Sequence, residues 1–322
     1  RARWEGKMVS LKVFPKTAAG AKQCSLEAEV LSLLSHPCVV AMYGSTHLSS
    51  GEDALVLEYA GAHGSLQEVL FSHSQHQNPE FASLELRTKL AIDIAFALEY
   101  IHGLYVHHRG IQPANVLVVS LWMDAKVHAK LWNFGVVHAS SGSMMREQLL
   151  YTAPEIVGEK AYDARSDMWA FGVLLYTLFA MKEPFEGEYT AAIVGSVQRG
   201  ELPSLPDSVP AELAELYRGC TMKDPSKRLT AHQVVLMLLG FLDSFAFDGE
   251  DRRTVAAKMR KQSLPSHGLS GDWTDMAANV SWPRQAVGST PSLLKHSMSS
   301  FSLSASSDDE GAISSPMELQ DL

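Results

Sequence analysis

The sequence predicts an α+β protein of two lobes, a small β-rich first part and a larger helical second part. Three observations carry the prediction. Short β-branched and apolar runs cluster before residue 60, long helical runs follow, and the apolar pattern stops near residue 248. At 322 residues and 46% hydrophobic, the chain is long enough for one large domain or two small ones with an ordinary core. A net charge of -9 argues against nucleic acid or an anionic membrane as the main partner.

"MVSLKVF" is β-branched and bounded by Gly6 and Pro15, which marks a strand. "SLEAEVLSLLS" places Leu26, Val30, Leu33 and Leu34 at helical spacing, and His36-Pro37 stops it. "VVAMYG" and "ALVLEY" read as two more strands. "SLELRTKLAIDIAFALEYIHG" is an amphipathic helix with Ser83 as N-cap, a stripe of Leu90, Ile94, Ala97 and Ile101, and Gly103 at its end. "NVLVV" and "AKLWNF" suggest a strand pair. "MWAFGVLLYTLFAM" is apolar on every face, so it is expected to be a buried helix. It is too short to span a bilayer, and Asp167 precedes it. Helical patterns near 211–219 and 231–242 complete the second part.

Cys24, Cys38 and Cys220 are sparse and lack metal-ligand spacing, which suits buried thiols in a reducing, intracellular (cytoplasmic) setting. The chain opens on Arg1 without a signal-like segment and reads as a piece of a longer protein. Residues 249–322 are rich in Ser, Gly, Pro and charge, and are expected to form a disordered, acidic, serine-rich tail.

The order and spacing of several motifs resemble a protein kinase domain over about residues 3–245. The resemblance implies a domain over 1–248, with an N-lobe over about 1–60 lacking the first strand and Gly-rich loop, and a C-lobe over about 61–248. "VSLKVF" is similar to the strand that carries the phosphate-binding lysine, here Lys12, and Glu27 stands where its helix partner is expected. "LVLEYA" resembles the hinge, with Leu57 as gatekeeper and Glu58, Tyr59 and Ala60 facing an adenine, over Leu117 and beside Ser10. "YTAPE" and "KDPSKRLT" imply a Glu155–Arg228 pair. "SDMWAFG" supplies Asp167 to hold the catalytic loop. Leu31, Met42, His108 and Phe134 match the stacked side chains that join the lobes. The long link from Asn115 to Asn133 is similar to leucine-rich-repeat (Roco-type) kinases of the tyrosine-kinase-like group, which implies a GTPase module upstream.

Against that pattern, the chemistry-bearing positions are altered. In "HHRGIQPANVL", Gly110 after Arg109 replaces the catalytic aspartate and Gln112 replaces the lysine. "WNFG" puts Asn133 in place of the metal-binding aspartate, while Asn115 keeps the second metal position. Gly110 can neither orient nor deprotonate a hydroxyl, a contribution commonly worth ~10²–10⁴ in rate. An amide oxygen offers Mg²⁺ no charge. Trp132, where a small residue is usual, is expected to fill nucleotide space or to rotate beneath the sheet. Asp124, the nearest acid in sequence, is expected on a loop away from the centre. The expectation is a pseudokinase with ATP and Mg²⁺ binding weak or absent, acting on other signalling proteins as a scaffold or allosteric regulator. The alternative is a serine/threonine kinase transferring the γ-phosphate of ATP to protein hydroxyls. In the tail, "RKQSLP" around Ser263 resembles a 14-3-3 docking site, and Ser306 and Ser307 precede an acidic run suited to an acid-directed kinase.

Overall fold

The computed structural model describes residues 2–4, 7–71, 81, 83–134, 145–158 and 160–246. The chain divides into two units, Arg1–Leu269 and Ser270–Leu322, and all described residues belong to the first. Ser263, Ser306, Ser307 and the tail as a whole lie outside the described residues.

The small lobe is a four-stranded antiparallel sheet in the order β1-β2-β4-β3, with one helix against it. Strand β1 is Ala2–Trp4, β2 is Lys7–Val13, β3 is Met42–His47 and β4 is Asp53–Glu58. Helix α1, Ala18–Ser32, begins where the Thr17 side chain accepts the Gly20 N–H, so it starts earlier than its apolar residues suggest. Its buried face is Gly20, Cys24, Glu27 and Leu31, at i, i+4, i+7 and i+11. Gly20 is required there, because a Cβ would lie 2.1 Å from the Pro15 carbonyl oxygen. This corrects the expected stripe: Leu34 is buried, Val30 is half-buried, and Leu26 and Leu33 are exposed. The helix ends at Ser32, before His36-Pro37.

The expected strand "VVAMYG" is also corrected, since only its last part joins the sheet. Val40 donates to the Leu131 carbonyl at 2.9 Å and Leu131 donates to Cys38 at 2.8 Å, which ties this segment to the large lobe. That second, two-stranded sheet pairs β5, Val116–Val118, with β6, Ala129–Leu131. Both strands are shorter than expected and leave Trp132 and Asn133 outside the ladder.

The large lobe is helical: α2 Leu66–Phe71, α3 Leu84–Gly103, α4 Arg146–Leu149, α5 Pro154–Val157, α6 Ala164–Ala180, α7 Thr190–Arg199, α8 Ala211–Cys220 and α9 Ala231–Ala246. In α3 the Ser83 hydroxyl accepts the Leu86 N–H, and Leu90, Ile94, Ala97 and Ile101 are fully buried. Helix α6 is buried on almost every face and starts at Asp163, so Asp167 lies inside its first turn rather than before it. No described helix is long and apolar enough to cross a membrane. The three cysteines are free and buried.

One ion pair fixes the floor of this lobe. The Arg228 guanidinium, wholly buried, binds both Glu155 oxygens at 2.6 and 2.7 Å and also donates to the Met222 and Arg165 carbonyls. Burial pushes the Glu155 carboxyl up, but its hydrogen bonds to Arg228 and Ser166 outweigh that and hold it below the usual range. Removing one partner strands the other charge in a dry site, which typically costs ~3–5 kcal/mol. Glu155→Ala is therefore expected to lower unfolding free energy by roughly 3 kcal/mol in a urea titration, whereas Glu201→Ala, in an exposed pair with Arg199, is expected to leave the urea midpoint unchanged.

Candidate functional site

The site lies where the small sheet, α1, β6 and the loop 107–115 converge. Lys12 sits on β2, whose pairing with β4 places it opposite Leu55 and puts Ser10 opposite Leu57. Lys12 Nζ binds Glu27 Oε2 at 2.5 Å, and Glu27 is buried within α1. Burial lowers the Lys12 pKa and raises that of Glu27, and each charge partly restores the other. The same ammonium donates to the side-chain oxygen of Asn133. Asn133 Nδ2 in turn donates to Asn115 Oδ1 at 2.8 Å, and Asn115 Nδ2 donates to the Gly110 carbonyl at 2.7 Å. A continuous run of hydrogen bonds thus joins Glu27, Lys12, Asn133, Asn115 and Gly110.

This run bears on metal binding. The amide oxygens of Asn115 and Asn133 are the atoms that a cation would need, and each accepts a hydrogen bond from within the chain. Neither residue carries charge, and among the described residues no group of three or more His, Cys, Asp or Glu is placed to hold a metal ion. The donor set does not fit a hard divalent cation, which prefers carboxylate oxygen.

Trp132 occupies the space between Lys12 and the catalytic loop. Its indole N–H donates to the Ala114 carbonyl at 3.0 Å, and its ring lies 5.5 Å from Lys12 Nζ, within cation–π reach. Phe134 is buried against His108, with ring centroids 4.5 Å apart, and burial lowers the His108 pKa to about 4, so the imidazole is neutral. Leu31 and Phe134 belong to the hydrophobic core of the domain, and Met42 packs against it. Gln112 and Gly110 line a small cleft with Arg109, Gln148, Thr152 and Tyr162. Asp124 is exposed in the β5–β6 connection, in a groove with Ser83 and Glu85, away from Gly110.

At the hinge, Leu57 and Ala60 are buried and Leu117 half-buried. The Glu58 backbone N–H donates to the Ala41 carbonyl, so it faces the small lobe. Glu58 also has a side-chain role that sequence reasoning missed: Lys130 binds both its carboxylate oxygens at 2.7 and 2.8 Å. A second omission surrounds Asp167, whose oxygens accept the backbone N–H groups of His108 and Arg109 at 2.9 and 3.0 Å. They also bind His102 Nε2 at 2.9 Å and the Tyr162 hydroxyl at 2.6 Å. His102 falls one turn past the Glu99 face of α3, a position that helical spacing offers as a partner, whereas nothing in the sequence around Tyr162 marks it.

Burial alone would raise the Asp167 pKa, but His102, His108 and Tyr162 hold it down to about 2. A carboxyl depressed in the folded state adds stability above its unfolded pKa of about 3.9 and loses it as pH falls through the folded value. Acid unfolding is therefore expected to steepen between about pH 4 and 2, and Asp167→Asn, which cannot accept four donors as an anion, is expected to remove that component while lowering stability at pH 7 by about 3 kcal/mol. A pH series of urea unfolding curves measures both.

Comparison with known proteins places this geometry. The family model described as the protein kinase domain matches residues 1–238. A human calcium/calmodulin-dependent protein kinase type 1B is 28% identical over 273 residues, covering 82% of this chain and 76% of that protein. A Dictyostelium discoideum protein named a probable serine/threonine-protein kinase is 29% identical over 246 residues, covering 73% of this chain and 22% of that protein. The chain spans 14% to 22% of the length of that protein and of similar long relatives. With a family model matched over most of its length and the two-lobed architecture in place, the chain belongs to the protein kinase domain family.

Proposed function

We propose that this kinase domain keeps the regulatory frame of its family while its phosphate-transferring centre is depleted, and that it works through shape, as an intracellular signalling scaffold or allosteric partner. The observation that carries the reading is the hydrogen-bonded run from Lys12 through Asn133 and Asn115 to Gly110. The groups that would engage a metal-bound triphosphate are satisfied by one another, and the position of the hydroxyl-activating carboxylate has no side chain. Transfer of a phosphoryl group needs charge neutralisation and an oriented nucleophile together. ATP and Mg²⁺ serve the family at large; here Trp132 and the uncharged amides favour weak or absent binding. The Roco-type resemblance, an upstream GTPase module and recognition of phosphorylated Ser263 by 14-3-3 belong to the same proposal, as does a domain boundary near residue 248.

A second reading has the better support from relatives. Proteins named serine/threonine kinases match across the domain, and the Lys12–Glu27 pair is formed as catalysis would need. On this reading the chain transfers the γ-phosphate of ATP to protein hydroxyls using an amide-rich centre.

The purified chain incubated with labelled ATP, Mg²⁺ or Mn²⁺ and generic protein substrates separates the two. The depleted-centre reading expects no transfer above background. Transfer abolished by Lys12→Met establishes the second reading instead. In a thermal-shift titration, millimolar ATP with Mg²⁺ is expected to move the midpoint by less than about 1 °C, since only a ligand bound to the native state raises stability. Trp132→Ala is expected to enlarge that response if the indole is the obstruction, and an unchanged response discards that cause. Combining Gly110→Asp, Gln112→Lys and Asn133→Asp is expected to produce transfer at least ~10²-fold above the unmodified chain.

A further inference from the structure

Among the described residues, the β5–β6 connection carries an exposed tryptophan outside the site. Trp122 is 69% exposed and Met123 38% exposed, beside a groove of about 370 Å³ lined also by Ser83, Glu85, Leu121 and Asp124. The turn that presents them is rigidly held. Ala125 donates to the Trp122 carbonyl at 3.0 Å, the Trp122 N–H binds the Ser120 hydroxyl, and Lys89 of α3 donates to the Met123 carbonyl at 2.6 Å. A tryptophan fixed on a tight turn beside a groove has the features of an interface anchor: large area at small ordering cost.

The course of α9 indicates what reaches it. Helices α3 and α9 form the most extensive helix–helix contact in the fold, and His232 at the start of α9 binds Glu99 near the end of α3 at 2.6 Å. Two helices in contact along their length, start against end, run antiparallel. Helix α9 therefore finishes beside the beginning of α3, where Ser83 and Glu85 border the Trp122 groove. The chain that leaves α9 soon becomes strongly basic. Residues 252–261, "RRTVAAKMRK", hold five cations and no acid, with Val255 and Met259 four residues apart. The five residues between Ala246 and Arg252 can span roughly 17 Å, which suffices to reach a neighbouring groove.

We propose that residues 252–261 of this chain dock on the Trp122 groove. Met259 and Val255 cover the indole and Met123, while the cations lie near the Asp124 and Glu85 carboxylates. Lys89 is engaged by Glu85 at 3.2 Å and by the Met123 carbonyl, and the Asp124 carboxylate is exposed. A thioether against an aromatic ring and an arginine over it are both favourable contacts. A short tether keeps the segment at an effective concentration in the millimolar range, so weak contacts hold it.

Hydrogen exchange followed by mass spectrometry on the full chain tests this. Amides of residues 252–261 are expected to exchange at least tenfold more slowly than in the same peptide unattached. Trp122→Ser and Met259→Ser are each expected to return them to the peptide rate, with an unchanged melting temperature. Exchange at the peptide rate in the unmodified chain overturns the proposal, as does protection that survives Trp122→Ser. Light scattering adds a further outcome: a dimer that Trp122→Ser dissolves assigns the groove to a second copy of the chain and overturns docking within one chain.

Discussion

The shape of the catalytic loop depends on one buried carboxylate. Asp167 holds the backbone N–H groups of His108 and Arg109, and through them fixes where Gly110, Gln112 and Asn115 stand. Arg109 adopts a left-handed backbone, with φ 64°, a conformation that needs such support in a residue with a Cβ. The anion is sustained by His102 and Tyr162, which reach it from different parts of the large lobe. The conformation of the loop is thus set by buried hydrogen bonds to its main chain, none of which depends on the side chain carried at position 110.

Five consecutive residues connect that loop to everything else. Lys130 clamps the hinge through Glu58, Leu131 pairs with the segment at Cys38–Val40, and Trp132 binds Ala114. Asn133 links Lys12 to Asn115, and Phe134 stacks on His108. A shift of this short segment would disturb the hinge, both lobes and the pair between Lys12 and Glu27 together. Packed elements with several simultaneous partners move as units rather than residue by residue.

The order of motifs made the architecture legible before any coordinates, because strand, helix and cap signals are local. Ser83, Leu90, Ile94 and Ile101 lie where periodicity puts them. Hydrophobicity alone is a poor guide to the face of α1. Leu26 and Leu33 face outward, while the charged Glu27 is buried because Lys12 compensates it across 15 positions of sequence. The clasp of Tyr162 on Asp167 and of Lys130 on Glu58 were likewise invisible, since each depends on two distant segments meeting. At the candidate site the residue types were readable, but their mutual hydrogen bonding was not. That bonding joins two of the altered positions, Asn133 and Gly110, through Asn115.

Asn133 has a consequence of its own for how this domain could change over time. Its backbone lies at φ 66°, in a region that asparagine and aspartate enter far more readily than most residues. Exchange of its amide nitrogen for oxygen would require no rearrangement of the main chain. It would place a negative charge beside the Lys12 ammonium, where the amide oxygen now accepts. A single nucleotide change in the Asn133 codon therefore suffices to set an anion against Lys12 without remaking the backbone around it.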